Sequence, residues 1–185
     1  MKQINAIILM SIFGLSVNAQ NKFEKRANPS DYTKPVMKAI TYGLTAPNPH
    51  NTQSWYLDTI SDTEMLLYVK HVLPETDPPA RQILMGAGCF IELVDVGMTQ
   101  EGYETNVDYL PQGDFQLTAN KLSDKPVAKI SFVKNDNVKK DVLYDYIYQR
   151  GTNRKPYKGK MITETEFDSI KSLMGEYYSE LQFYS

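Results

Sequence analysis

One cysteine, two histidines and no run of basic residues set the first limits on this chain. With Cys89 alone there is no intrachain disulfide, and its strongly apolar surroundings mark it as a small buried hydrophobe. His50 and His71 do not supply a metal-ligand cluster, and neither stands at the spacing of a catalytic triad. His71, beside a strand pair, reads as a surface residue. A net charge of −2 and a pI near 5.7 give no positive field for nucleic acid or anionic lipid. The apolar stretch from Ile4 to Val17 is shorter than the roughly 20 residues of a membrane span.

What is present begins with that stretch. Lys2 supplies a positive start, Ile4 to Val17 the apolar middle, and Val17-Asn18-Ala19 a small-residue cleavage site, so residues 1–19 read as a secretory signal and Gln20 as the mature start. The chain is then expected to be exported, periplasmic or secreted, with no stable membrane span after cleavage. No twin arginine precedes the apolar run, which implies passage in the unfolded state.

The chain as a whole has the composition of a globular protein, 42% apolar and 23% charged, which excludes a disordered or fibrous chain. Val36, Ile40 and Leu44 recur at helical spacing and predict a helix within residues 31–45. Two β-rich runs, 55–60 and 65–69, face each other across Ser61-Asp62-Thr63-Glu64 as a hairpin. Asp77 before Pro78 predicts a helix start with the carboxylate as N-cap, followed by a segment apolar nearly all round, as a buried helix is. Gly86 and Gly88 cost that helix propensity, which close approach of another backbone would explain. Alternation over 103–109, and a second such pattern over 127–133, predict two more strands. Val138, Val142, Tyr146 and Ile147 predict an amphipathic helix ending at Gly151 as a left-handed cap. Thr163-Glu164-Thr165-Glu166 is a capping box for a last helix with Phe167, Ile170, Leu173, Met174 and Tyr177 on one face. The chain then enters an apparent strand at 181–184. Helices and strands mix without βαβ repetition, which predicts an α+β fold, a sheet with helices against it.

Two short segments carry the chemistry. In Ala46-Pro47-Asn48-Pro49-His50-Asn51-Thr52-Gln53-Ser54-Trp55 the prolines fix φ and end the preceding helix, leaving a stiff loop of amide and imidazole groups. Such a loop suits the edge of a flat, hydrogen-bonding heterocycle, and it equally suits an ordinary capping turn. Arg150-Gly151-Thr152-Asn153-Arg154 gathers two guanidiniums and a hydroxyl, a set that binds phosphate or simply faces water.

The proline loop resembles the Ala/Ser-Pro-Ser-x-x-Asn-x-Gln-Pro-Trp signature of the FMN-dependent nitroreductase family. Pro47, Asn51, Gln53 and Trp55 match, while Asn48 replaces the usual serine and Ser54 the second proline. In that family the loop meets the flavin ring across a dimer interface, so the resemblance implies ring contacts from Pro47, Asn48, Pro49, His50, Asn51 and Gln53. Arg150-x-Thr152-x-Arg154 is similar to the family's phosphate-binding Arg-x-Ser-x-Arg/Lys element, with Tyr157 and the following helix as its continuation. This implies that Arg150 and Thr152 hold the FMN phosphate and that Arg154 lies near the phosphate or the ring.

The phosphate element here follows the loop instead of preceding it. That order resembles the tandem, Acg-like branch, as do Asp77-Pro78-Pro79-Ala80-Arg81 and the Gly86-Ala87-Gly88-Cys89 helix. The resemblance implies a nitroreductase-like three-layer fold with a mixed, largely antiparallel sheet, a first half over 20–134 and the start of a second half over 135–185. It also implies an exported flavoprotein that passes hydride from FMN to a nitroaromatic, quinone or similar acceptor, with the flavin acquired outside the cytoplasm and no side chain acting as nucleophile or base. With only about thirty residues after Arg154, the pocket's remaining walls are expected from a longer chain or a homodimer. The alternatives are a non-catalytic flavin-binding or flavin-sequestering protein and a truncated remnant.

Overall fold

The computed structural model of the chain describes residues 27–153, 155, 156, 159 and 161–174. The expected signal over 1–19, Arg154, Tyr157, Tyr177, the side chain of Leu173 and the expected strand at 181–184 lie outside the described residues. The chain divides into two compact units, Met1–Arg150 and Gly151–Ser185.

The first unit is α+β. Helix α1 spans Pro35–Gly43, strands β1 and β2 span Trp55–Ser61 and Glu64–Val69, and helix α2 spans Arg81–Gln100. Strands β3 (Tyr103–Tyr109) and β4 (Ala128–Lys134) complete a four-stranded antiparallel sheet in the order β1-β2-β4-β3. The order follows from side-chain chemistry. Ala128, Ile130 and Phe132 of β4 are buried, which suits a central position. β3 alternates Glu104, Asn106 and Asp108 outward, and charge on an outer strand discourages further pairing. At the other edge a register shift between Thr59 and Ser61 kinks β1 and blunts it in the same way.

Met65, Leu67 and Val69 of β2 join the β4 residues on the inner face of the sheet. Against them packs α2, through Ile83, Phe90 and Val94 among others. α2 has the length and apolarity of a membrane span, yet its apolar face is occupied by the sheet and by α1. α1 begins at Pro35, where a missing N–H costs nothing, and buries Val36, Ala39 and Tyr42.

The start of α2 departs from the sequence expectation in register. Pro79 disfavours helical geometry at Pro78, Ala80 turns left-handed (φ 54°), and the helix begins only at Arg81. Asp77 still caps it, from further upstream. Its Oδ1 accepts from the Arg81 N–H at 3.1 Å and its Oδ2 from the Gln82 N–H at 2.7 Å. His71 is not a surface residue as expected: it is 6% exposed, and its Nε2–H donates to the Asp77 carbonyl at 2.9 Å. The ring fixes the capping residue, so its burial follows from a polar task. Asp77→Ala, which orphans two helix N–H groups, is expected to lower stability by about 2 kcal/mol, read as a shifted denaturant midpoint, with Asp77→Asn losing less.

The segment over 138–150 is also corrected. Instead of an amphipathic helix it forms a strap with a single 3-10 turn at Tyr144–Tyr146. Asn135 and Asp141 side chains accept from the Asn137 and Leu143 N–H groups, local bonds that compete with helical ones. Gly151 is not among the glycines with positive φ, so it makes no left-handed cap. Ile147 is nonetheless buried, and Tyr144 meets the Tyr42 ring edge-on at 6.0 Å.

In the second unit, helix α3 spans Glu164–Met174. The expected capping box is present: Glu166 Oε2 accepts from the Thr163 N–H at 2.8 Å, and the Glu166 N–H donates to Thr163 Oγ1 at 3.3 Å. These bonds hold the Glu166 carboxyl below its usual range.

Candidate functional site

The proline loop leaves α1 at Leu44 and returns to the sheet at Trp55. Asn48 is its organising residue. The extended Asn48 donates from Nδ2 to the Ala46 carbonyl at 3.2 Å and accepts at Oδ1 from the Gln53 N–H at 2.8 Å. Across that span Pro49–Asn51 makes a 3-10 turn, and His50, Asn51 and Gln53 all adopt left-handed backbone (φ 50°, 54° and 45°). Non-glycine residues visit this region at a cost on the order of 1 kcal/mol each, so three within four positions is concentrated strain. Surrounding structure must hold it, and the floor under the loop is helix α2. A β-carbon on Gly86 would come within 3.3 Å of Asn48 Cβ and 3.6 Å of Pro49 Cδ. Gly86 therefore has the close backbone approach expected of it. Gly88 does not: nothing lies within 4 Å of its missing side chain.

The expected ring-contact residues divide into two sets. Pro47, Asn48 and Pro49 are half-buried and build the loop, with Asn48 spending its amide internally. His50, Asn51 and Gln53 are exposed, so their side chains face outward from a fixed backbone. Ser54 and Trp55 behind them are buried, and Trp55 tilts against Phe90 with ring centroids 5.2 Å apart.

Arg150 comes to the same place. Its Nη2 donates to the Thr45 carbonyl at 3.0 Å, joining positions 105 residues apart in sequence. A guanidinium carries five N–H donors in a fork, only part of which one carbonyl can occupy. The strap therefore delivers an exposed cation to the residue where the proline loop begins. Thr152 is exposed in the second unit, and Arg154 lies outside the described residues.

One participant gave no usable signal in the sequence, and the part a second one plays did not show there. Thr45 acts through its backbone carbonyl, which every residue type has, and the arrangement of the loop depends on Asn48 bonding inward where it was expected to face a ligand. Among the described residues no three His, Cys, Asp or Glu side chains assemble as a metal-ion site. No protein-family model matches this chain, and no curated protein matches it.

Proposed function

We propose that the proline loop and Arg150 form part of a flavin mononucleotide site and that the chain is an exported, nitroreductase-like FMN-dependent oxidoreductase of the tandem, Acg-like kind. The single observation that carries the reading is the Arg150–Thr45 hydrogen bond, which sets a phosphate-type cation beside a ring-type amide loop on one compact unit. The residues present fit the group in a divided way. His50, Asn51 and Gln53 offer exposed donors and acceptors to the edge of a flat heteroaromatic ring, and Arg150 offers paired donors to a phosphate dianion. Asn48 supports the loop through its own amide bonds. Thr152 and Arg154 enter only as residues that the family resemblance implies for the phosphate.

Bound there, FMN supplies hydride transfer to a nitroaromatic, quinone or similar acceptor. The protein's part is to bind and orient: the strained loop is already fixed, so little ordering is left to oppose binding. Loop and guanidinium both lie exposed, so this half-site alone is expected to bind weakly, with Kd on the order of 100 µM, about −5.5 kcal/mol. The test adds FMN to the chain from Gln20 onward, follows flavin fluorescence quenching, and then follows NADPH oxidation with an acceptor present. Saturable quenching with turnover supports the enzyme, and quenching without turnover leaves a flavin-binding or sequestering protein. No quenching up to about 1 mM FMN sinks both.

A further inference from the structure

We propose that the open side of helix α2 is a self-association surface, on which a second copy of this chain lays the same helix antiparallel with Gly88 at the two-fold axis. Gly86 and Gly88 stand two residues apart, about 200° around the helix, so they face opposite sides. Gly86 meets the proline loop, whereas a β-carbon on Gly88 would find nothing within 4 Å. Glycine inside a helix lowers its propensity, and no close approach within the chain accounts for that loss at Gly88. A backbone supplied by another molecule does account for it.

The rest of that side is exposed and self-complementary. Arg81, Leu84, Met85, Glu92 and Asp95 line it, with Met85 65% and Leu84 36% exposed. Arg81 lies seven residues before Gly88 and Asp95 seven after it, close to two helical turns each way, so all three fall on one stripe. Two copies crossing antiparallel at Gly88 set Arg81 of each opposite Asp95 of the other, within a turn of Glu92. Leu84 then meets the aliphatic stem of Glu92. Among the described residues Arg81, Glu92 and Asp95 take part in no ion pair. Arg81 moreover stands in the first turn of α2, where the helix dipole opposes a cation and an acidic neighbour would offset it. Opposite charges at equal distances from one glycine are what an isologous contact requires, since residue i meets j as j meets i. That symmetry favours a second copy over any unrelated partner.

The contact is bounded at the C-terminal end of the helix. There the strap crosses α2, with the Asp141 N–H donating to Thr99 Oγ1 at 2.9 Å, so the open stretch runs from Arg81 to Asp95. It is about 21 Å long at 1.5 Å per residue. A single helix crossing of that length buries less than the roughly 800 Å² per partner of a standard interface, so the dimer is weak, with Kd on the order of 100 µM. Its ion pairs lie at the rim and are screened by salt. Because Gly88 faces away from the proline loop, the second copy leaves the candidate flavin site untouched. The pairing does not depend on whether flavin binds.

Sedimentation equilibrium on the full chain from about 10 µM to about 1 mM tests this, with Trp55 emission reporting that each variant is folded. The wild type is expected to form a reversible dimer that weakens about threefold or more between about 50 mM and about 500 mM NaCl. Gly88→Lys favours the helix yet sets bulk and two like charges at the axis, so association should fall about tenfold or more while the monomer stays folded. Arg81→Glu brings acid against acid and is expected to weaken the dimer about tenfold, with Arg81→Glu/Asp95→Arg recovering it to within about threefold of the wild type. A wild type that stays monomeric at about 1 mM, association left intact by Gly88→Lys, or a double variant no stronger than Arg81→Glu alone overturns the pairing.

Discussion

Phe90→Ala is expected to cost about 3–5 kcal/mol, the largest loss from any single truncation in the first unit. Phe90 has no exposed surface and sits where three elements meet. Its ring covers Gly43 at the end of α1 so closely that no β-carbon fits there, and it tilts against Trp55 at the start of β1. Removing the ring opens a cavity that Gly43 has no side chain to fill, and the α1 and β1 ends on either side are pinned by their own hydrogen bonds. Domains of this size are held by roughly 5–15 kcal/mol, so the variant stands near unfolding at room temperature. Trp55 is the only tryptophan, so its fluorescence reports the transition directly. A loss below about 1 kcal/mol in a denaturant titration would mean that the contact is not the keystone described.

Gly97→Ala and Gly88→Ala lie on the buried and the exposed side of α2 and are expected to have opposite signs. Intrinsic propensity favours alanine over glycine inside a helix by about 1 kcal/mol, and that gain applies to both. At Gly88 nothing opposes it, since the added carbon meets open space, and a gain of about 0.5–1 kcal/mol follows. At Gly97 the added carbon runs into the Tyr42 ring and its Cβ. Tyr42 has no room to swing away: it is 1% exposed, and its hydroxyl donates to Glu101 Oε1 at 2.8 Å. Lys38 binds the other oxygen of the same carboxylate, so moving the ring disturbs a part-buried network at the C-terminus of α2. Burial pushes the Tyr42 hydroxyl far above the usual tyrosine range, with further contributions from Tyr144 and Glu101, so it remains a proton donor at all ordinary pH. Overpacking of this kind costs about 1–3 kcal/mol or more, which outweighs the propensity gain. Thermal melts of the two variants give the comparison, and a stabilised Gly97→Ala would contradict the assigned packing of α1 on α2.

How much of this was legible beforehand varies with the kind of signal. The hairpin at 55–69, the strand at 103–109 and the capping box at Thr163 were readable because each depends on local periodicity or on two side chains in one turn. The apolar run of α2 was readable as a buried helix because burial all round leaves its mark on composition. The strap was misread. Its apolar residues carry helical spacing, but Asn135 and Asp141 capture nearby N–H groups, and only the tertiary contacts of Tyr144 and Ile147 decide the outcome. His71 was misread because a polar ring beside a strand gives no hint that a carbonyl six residues on needs its proton. At the candidate site the loop was readable as stiff from its prolines. That Arg150 reaches Thr45 was not, because it joins a side chain to a distant backbone oxygen.

The central claim is that Arg150 and the loop act on one ligand, its phosphate and its ring respectively. Comparing FMN with riboflavin, which lacks the phosphate, tests it most directly. The wild-type chain is expected to bind FMN about tenfold or more tighter than riboflavin, with Arg150→Ala narrowing that gap and Asn51→Ala weakening both ligands alike. Equal affinity of the wild type for the two flavins, or a gap left intact by Arg150→Ala, would contradict the account.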